Sequence, residues 1–222
     1  GIDVNGEALP PSIIDQYEIG IKKDILKGFL SANVTIYQIK NSNLAQTSLA
    51  EGNTNSNIKE LAGEVTSKGL EVDISSKEWK GLSLIAGYSY NNTRYTKSNT
   101  YIVGSQLRYN PNNTANASLY YKLNNLRIKC LSGFNTGLGV VYIGERMAGR
   151  STRLTVANDT YKLISLPSYT IVEASLGYVV NNISVRIKLS NIFDVLNYNV
   201  HDDNSVNPIS PRQFTLTLTH KF

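Results

Sequence analysis

The chain ends in the stretch FTLTLTHKF, residues 214–222. Apolar side chains at Phe214, Leu216 and Leu218 alternate with threonines, and the alternation continues through His220 to a terminal aromatic, Phe222. Successive side chains of a β-strand point to opposite faces, so this period of two predicts a strand with one apolar and one polar face. The terminal stretch therefore predicts an all-β protein.

The same alternation recurs along the whole chain. It predicts nine strands, and no helical pattern of 3.6 residues competes with them over a comparable length. The sixth predicted strand is rich in glycine and is the least regular. The nine predicted strands cover about Gln16–Lys23, Phe29–Lys40, Ser67–Ser76, Leu82–Tyr95, Thr114–Leu123, Leu126–Ile143, Tyr169–Val179, Ile183–Leu189 and Phe214–Phe222.

The predicted connections alternate in length. Short ones, at 24–28, 77–81, 124–125 and 181–182, take turns with long ones, at 41–66, 96–113, 144–168 and 191–212. Barrels of the bacterial outer membrane have short periplasmic turns and longer extracellular loops in this order. The pattern predicts a transmembrane antiparallel up-and-down β-barrel whose last residue, Phe222, lies on the periplasmic side.

Composition agrees with membrane strands and disfavours several other classes. Mean hydropathy is −0.21, and no stretch approaches the roughly 18 apolar residues of a membrane helix. Fourteen tyrosines suit a lipid–water boundary. The net charge of +5 is scattered along the chain, which disfavours nucleic-acid binding. A single cysteine, Cys130, excludes an internal disulfide and a cysteine metal site.

A soluble β-sandwich is the main alternative fold, because its strands also alternate. It does not explain why the charged residues of the predicted strands share one face, or why short and long connections take turns. The charged residues in question are Glu18, Glu71, Asp73, Lys122, Glu173, Arg186 and Lys188.

Nine is an odd number of strands, whereas single-chain bacterial outer-membrane barrels have an even number. An open sheet edge in hydrocarbon would leave backbone donors and acceptors without partners, at several kcal/mol each. The amino terminus, Gly1-Ile2-Asp3-Val4, has no features of an export signal. We therefore expect residues 1–222 to be the carboxy-terminal portion of a larger barrel.

Three motifs, taken in order, resemble TonB-dependent receptors of the siderophore type. Pro10-Pro11-Ser12 precedes Gln16-Tyr17-Glu18-Ile19-Gly20-Ile21-Lys22, and Gly69-Leu70-Glu71-Val72-Asp73 precedes Gly81-Leu82-Ser83-Leu84 with Gly87, Tyr88 and Tyr90. Asn191-Ile192-Phe193-Asp194, Tyr198 and Pro211-Arg212 then lead to the terminal strand. That strand is similar to an outer-membrane insertion signal, carried by Phe214, Leu216, Leu218 and Phe222. His220 departs from the pattern, because an aromatic or aliphatic residue is expected there.

The resemblance implies a barrel of about 22 strands with a plugged lumen, of which residues 1–222 would be the carboxy-terminal part without the plug domain. It also implies a bacterial outer-membrane receptor that imports a ferric siderophore with energy delivered through TonB, by way of the missing plug and TonB box. Implied partners are outer-membrane lipids, lipopolysaccharide and the barrel-assembly machinery. No enzyme activity, cofactor or metal site is implied.

The long loops are the candidate ligand surface, because they combine tyrosine with arginine. Tyrosine rings and guanidinium groups suit ferric chelates through stacking and charge-assisted hydrogen bonds. The same cations would also suit lipopolysaccharide. The candidate substrate-binding residues are Arg94, Tyr95, Tyr101, Arg108, Arg146, Arg150 and Arg153. His201 with Asp202-Asp203-Asn204 has too few oxygen ligands for a calcium loop, and the segment is interpreted as a polar turn.

Other functions remain open at this point. A TonB-dependent importer of a different substrate, a glycan or cobalamin, would share the barrel and the terminal aromatic. A passive porin would have a closed, even-numbered barrel with an open lumen. A soluble binding module would bury its apolar faces against a second sheet.

Overall fold

Antiparallel pairing joins nine strands of the chain into one sheet. The computed structural model describes residues 1–51, 53, 55–154, 156–201 and 205–222. The sheet has the order β1-β2-β3-β4-β5-β6-β9-β10-β13, so strands adjacent in the sheet follow one another along the chain, apart from two small hairpins, β7–β8 and β11–β12. The strands are β1 (Ile13–Ile25), β2 (Leu30–Thr47), β3 (Lys59–Ser76), β4 (Leu82–Lys97), β5 (Asn113–Lys122), β6 (Phe134–Ile143), β7 (Arg146–Gly149), β8 (Leu163–Leu166), β9 (Tyr169–Val180), β10 (Ile183–Ser190), β11 (Tyr198–Val200), β12 (Val206–Pro208) and β13 (Gln213–His220).

The nine predicted strands are confirmed, with one correction near the middle of the chain. Residues Leu126–Gly133 were expected to begin the sixth strand, and the expectation is wrong. Two 3-10 turns, Leu123–Leu126 and Lys129–Leu131, occupy this segment, and β6 begins at Phe134. The backbone of Arg127 is left-handed (φ 57°), which breaks the extended conformation despite the alternating side chains. The connection therefore spans 123–133 instead of the predicted 124–125.

Strands β2 and β3 run further toward the long loops than predicted. The alternation is lost after Lys40 because register shifts lie between Asn41 and Leu44 and between Leu44 and Ala45. Each shift moves the following side chains to the other face, so a period of two no longer describes the sequence. Backbone pairing continues nonetheless, to Thr47 opposite Lys59.

The sheet has one apolar and one polar face. Cross-strand partners on the apolar face form rows such as Ile19–Ile36–Leu70–Tyr90. The charged residues expected to share a face do so, because the register places Glu18, Glu71, Asp73, Lys122, Glu173, Arg186 and Lys188 on the opposite side. On the same face, the next two cross-strand rows toward the long connections are polar. These rows are Gln38–Lys68–Asn92 and Lys40–Thr66–Arg94.

The described residues have almost no apolar core. Within the described ranges, only Ala148, Leu166 and Ile209 are buried apolar residues, and all three lie outside the large sheet. The apolar face is instead open, with Ile19 73% and Leu218 71% exposed. This distribution contradicts the β-sandwich alternative, whose apolar faces would meet a second sheet. No helix of the described residues is long and apolar enough to cross a membrane.

Aromatic side chains collect at the end of the sheet that carries the shorter connections. Phe29 contacts Trp79 edge-on at 6.4 Å, Phe134 contacts Tyr178 at 4.6 Å, and His220 lies edge-on to Phe222 at 4.7 Å. Aromatic girdles of this kind mark the boundary of the apolar band in membrane barrels. The His220 ring therefore belongs to a boundary cluster, which accounts for its departure from an aliphatic pattern.

Gly69 on the polar face provides space for the ring of Tyr37 in the neighbouring strand. A Cβ at Gly69 would lie within 2.4 Å of the Tyr37 hydroxyl oxygen, and Asn91 Nδ2 donates a 2.6 Å hydrogen bond to that hydroxyl. We expect Gly69→Ala to displace Tyr37 and to lower the free energy of unfolding by about 1–3 kcal/mol, the usual cost of overpacking. The measurement is urea-induced loss of heat-modifiable gel migration, on protein expressed from the complete gene.

Gly87→Ala is the matched control on the same face. A Cβ there would meet Asn116 Nδ2 at 3.0 Å, and this amide lies at the end of a flexible side chain. The control should change stability by less than about 0.5 kcal/mol. Equal destabilisation by the two variants would contradict the role assigned to Tyr37.

A buried carboxylate, Glu64, joins three strands above the apolar band. Its oxygens lie 3.0 Å from Lys40 Nζ and 3.3 Å from Lys97 Nζ, and Thr96 donates a 2.8 Å hydrogen bond to it. Burial raises the pKa of Glu64, but the hydrogen bonds from Lys40, Thr96 and Lys97 outweigh burial and lower it to about 2. The ionised form is therefore the one that the fold stabilises.

We expect the stabilisation from Glu64 to be complete above pH 4.5, its ordinary pKa, and to be lost as the pH falls toward 2. Glu64→Gln should cost no more than about 1 kcal/mol at pH 7, because Lys40 and Lys97 remain partly open to water. The difference from the wild type should shrink between pH 4.5 and pH 2 in the same unfolding measurement. A difference that is constant over this range would contradict the assignment.

Candidate functional site

The three longest connections of the chain meet at one end of the sheet. Backbone hydrogen bonds join 98–112 to 144–168, from Leu154 N to Thr100 O (2.8 Å) and from Tyr109 N to Met147 O (3.0 Å). Tyr101 and Arg153 also form an isolated antiparallel bridge. These contacts position the loops against one another, so that residues far apart in sequence share one surface.

Arg146, in β7, ties the third long connection, 191–212, to this group. The guanidinium group is buried and donates to Asn197 Oδ1 (2.8 Å), to the Pro167 carbonyl (3.1 Å) and to the Tyr198 carbonyl. It also lies over the Tyr169 ring, 4.9 Å from the centroid. Arg146 was predicted to contact substrate, but its donors point to these loop acceptors.

A cavity of about 270 Å³ lies where the first two loops meet. Four of the seven predicted substrate-binding residues line it, namely Tyr95, Tyr101, Arg108 and Arg150. The rings of Tyr95 and Tyr101 are 4.9 Å apart, at an interplanar angle of 37°. The Arg108 guanidinium lies 4.8 Å from the Tyr109 ring, and Arg150 lies 3.8 Å from the Tyr161 ring. The wall of the cavity therefore combines aromatic surface with two cations.

The hydroxyl group of Tyr95 remains protonated at neutral pH. Burial raises its pKa and the neighbouring Tyr101 raises it further, while Arg108 opposes the two effects. A protonated phenol donates a hydrogen bond, and the guanidinium groups beside it donate charge-assisted ones. The cavity can therefore bind a ligand that presents oxygen acceptors or negative charge together with a flat surface.

Arg153 lies beside the cavity and is held by the loop itself. Its Nε and Nη2 each lie 3.1 Å from the carboxylate of Asp159, and its backbone N–H donates to the same group at 2.8 Å. Hydrogen bonds from Arg153 hold the pKa of Asp159 well below its usual range. Arg153 also lies 5.3 Å from the Tyr161 ring, so its position supports the ring on which Arg150 stacks.

Arg94 does not line the cavity. Because side chains alternate along β4, Arg94 lies on the face opposite Tyr95. There it donates hydrogen bonds to Asn92 Oδ1 (2.8 Å) and to the Gly104 carbonyl (2.9 Å). The structure thus brings together four of the predicted residues, places Arg153 next to them and holds Arg94 and Arg146 elsewhere.

Several lining residues were not predicted. Gln106, Leu107, Tyr109, Ser151 and Leu163 also line the cavity, and Tyr161 stacks on Arg150. Tyr109 was visible as one of three tyrosines in the same loop, whereas no local pattern marks Leu163. The polar turn Asp202–Asn204 lies outside the described residues, and the flanking His201 Nδ1 is 3.0 Å from Ser205 Oγ. Within the described ranges no group of three or more His, Cys, Asp or Glu side chains could hold a metal ion.

Comparison with known families and proteins gives a consistent result. The family described as TonB-dependent receptor-like β-barrel matches residues 1–192. The metal-pseudopaline receptor CntO of Pseudomonas aeruginosa is 30% identical over 221 residues, which are 99% of this chain and 29% of that protein. The ferrioxamine B receptor of Salmonella typhimurium is 29% identical over 197 residues, 86% of this chain and 26% of that protein. The chain thus spans less than a third of the length of these relatives.

Solved structures show the same fold. The ferripyoverdine receptor of the outer membrane of Pseudomonas aeruginosa, bound to ferripyoverdine, superposes with a TM-score of 0.79 at 21% identity. The ferric-catecholate import receptor Fiu of Escherichia coli superposes with a TM-score of 0.77 at 20% identity. Each covers the whole of this chain, which in turn covers 29% of each receptor.

The family relationship confirms the predicted resemblance, barrel class and location. It places the nine-stranded sheet in the outer membrane, with its apolar face toward lipid and its polar face toward the lumen. It also assigns the short connections to the periplasmic end and the long loops, with their cavity, to the extracellular end. The chain belongs to the TonB-dependent receptors, a family of receptors rather than enzymes, and forms part of their β-barrel.

Proposed function

We propose that this chain supplies the carboxy-terminal barrel wall and extracellular loops of a receptor that imports a ferric siderophore with energy delivered through TonB. The observation that carries the proposal is the extracellular cavity lined by Tyr95, Tyr101, Arg108 and Arg150. The cavity lies at the loop end of the barrel, and in this family an external ligand reaches that end first.

The chemistry of the cavity suits an iron chelate. Hydroxamate and catecholate chelates present oxygen acceptors around the metal, often with negative charge, and catecholates add aromatic faces. Arg108 and Arg150 can donate charge-assisted hydrogen bonds to such oxygens, and the paired rings of Tyr95 and Tyr101 can stack on a flat group. A cavity of about 270 Å³ would hold one part of a siderophore, with the remainder contacting other parts of the receptor.

The relatives support a metal chelate over the other substrates considered. By their names, two of them are receptors for metal-pseudopaline and ferrioxamine B, and a structural neighbour binds ferripyoverdine. A glycan or cobalamin importer, or a passive porin, would share the barrel but would not need cations beside paired tyrosines. Siderophore uptake is therefore the proposal that the cavity favours.

The remaining partners follow from the same proposal. A plug domain and a TonB box in the complete protein would fill the lumen and couple it to TonB, within a barrel of about 22 strands. Lipopolysaccharide would contact the outer face beyond the apolar band. The barrel-assembly machinery would recognise the terminal strand, where Phe214, Leu216 and Leu218 are 62–71% exposed and Phe222 follows the end of β13.

The cavity predicts which substitutions reduce ligand affinity. Tyr101→Ala should weaken binding about fivefold, because it removes one ring of the pair. Arg108→Gln should weaken it about tenfold or more, because it removes a charge-assisted donor. The measurement is titration calorimetry with ferrioxamine B and with ferripyoverdine, on the protein expressed from its complete gene.

Arg94→Gln is the matched control, because Arg94 lies on the opposite face of β4 from Tyr95. It should change the affinity by no more than about twofold. Loss of affinity in Arg94→Gln but not in Arg108→Gln would refute the cavity assignment. Binding of neither chelate, together with passive sugar flux through vesicles, would favour the porin alternative.

The terminal aromatic residue predicts an assembly phenotype. Phe222→Ala should lower the amount of folded protein in the outer membrane severalfold, since the aromatic side chain beyond β13 would no longer be available to the assembly machinery. Phe193→Ala, at a 71% exposed position in the last long connection, is the control and should assemble normally. Folded protein is quantified by heat-modifiable migration of outer-membrane fractions, and equal assembly of the two variants would contradict the insertion-signal role.

A further inference from the structure

Three periplasmic turns place charged side chains at backbone positions that favour glycine or asparagine. Lys27 (φ 56°), Lys80 (φ 48°) and Arg127 (φ 57°) all have left-handed backbone. A Cβ is disfavoured in this conformation, and asparagine is the side chain that tolerates it best. The β9–β10 turn at the same end follows that preference with Asn181 (φ 48°). The other three turns therefore carry cations against the local backbone preference.

These turns form one positively charged surface. Lys27, Lys77, Lys80, Arg127 and Lys129 are exposed, and none of them has an ion pair with a described residue. The acidic side chains of this end, within the described part of the chain, are Asp24 and Glu78, and Glu78 lies 2.5 Å from Lys122. Charge at the periplasmic rim is thus strongly one-sided.

The turns are also in contact with one another. Lys77 N donates to Phe29 O (2.8 Å), which joins the β3–β4 turn to the β1–β2 turn, and the Phe29 and Trp79 rings meet at 6.4 Å. Lys122 N donates to Gly81 O (2.9 Å), which joins the β3–β4 turn to the end of β5. The cations therefore line a continuous stretch of the rim.

Each turn pairs its cation with an exposed apolar side chain. Leu26, 66% exposed, precedes Lys27; Trp79, 56% exposed, precedes Lys80; and Ile128, 49% exposed, follows Arg127. The Lys80 ammonium lies 4.9 Å from the centre of the Trp79 ring. An apolar side chain beside a cation suits the interface of a membrane, where the first enters the acyl region and the second remains among the headgroups.

We propose that this rim binds the headgroups of anionic glycerophospholipids in the periplasmic leaflet of the outer membrane. A lipid of this class presents a phosphodiester with net negative charge above two acyl chains, which matches cations placed beside apolar side chains. An anionic periplasmic polymer or a protein partner would also contact the cations. Binding of either one would not give the receptor a higher affinity for anionic than for zwitterionic lipids. The inference depends on the orientation of the barrel and not on the identity of its cargo.

The test measures lipid preference in vesicles. The protein, expressed from its complete gene, is reconstituted in phosphatidylethanolamine with trace spin-labelled phosphatidylglycerol or phosphatidylethanolamine. Electron paramagnetic resonance then gives the ratio of their association constants. We expect about threefold preference for phosphatidylglycerol, which should weaken in 0.5 M NaCl because the cations are exposed. The triple variant Lys27→Asn, Lys80→Asn, Arg127→Asn should lower the ratio toward 1.

The substitutions separate charge from folding, because asparagine suits the left-handed positions and should leave heat-modifiable migration unchanged. The charge-retaining variant Lys27→Arg, Lys80→Arg, Arg127→Lys should keep the preference. Lys68→Asn removes an exposed cation beyond the other boundary of the apolar face, and it should also keep the preference. If the triple asparagine variant does not fold, the three single variants are measured instead.

Three results would overturn the proposal. They are a wild-type ratio of 1, a preference that survives the asparagine substitutions, and an equal loss of preference in Lys68→Asn.

Discussion

The structure depends on the pairing of backbone N–H and C=O groups between neighbouring strands of the sheet. In the hydrocarbon region no water is available to replace a missing hydrogen bond, and each unpaired group costs several kcal/mol. The continuous ladders from β1 to β13 meet this requirement inside the sheet. Because the backbone is satisfied locally, the side chains need not build a core, and the described residues bury only three apolar ones.

Pairing in register also divides the chain into surfaces with different tasks. One face is apolar toward lipid, the other is polar toward the lumen, and the strand ends separate an extracellular surface from a periplasmic one. The polar face shows how closely the register is matched to side-chain size, since Gly69 lies opposite Tyr37 and Gly177 opposite Asn135. A shift of one residue would bring the apolar side chains to the lumen and remove these complementary pairs.

The strands could be predicted from the sequence because all side chains of one face have the same surroundings, lipid on one side of the sheet and the lumen on the other. Apolar and polar residues therefore alternate between neighbouring positions of a strand. The prediction failed at Leu126–Gly133, where side chains alternate although the left-handed Arg127 turns the backbone out of the sheet. The composition of the candidate site was partly predictable, because tyrosine and arginine are concentrated in two loops. Its geometry was not, since Arg146 is held by Asn197, 51 positions away. The exception is Arg94, whose separation from Tyr95 follows from alternation along β4.

Hydrogen bonds between the long loops fix the relative positions of the residues that line the cavity. The buried Arg146 guanidinium binds acceptors in both 144–168 and 191–212, and the backbone of 98–112 is bonded to the first of these. Loops joined in this way hold Tyr101, Arg108 and Arg150 beside Tyr95 of β4. Under the proposed function, this preorganisation would reduce the entropy lost when a ligand binds. Displacement of one loop would break the hydrogen bonds that join it to its neighbours. The position of the cavity wall therefore depends on all three long connections, which are joined within the loop cluster by the Arg146 guanidinium and by backbone hydrogen bonds.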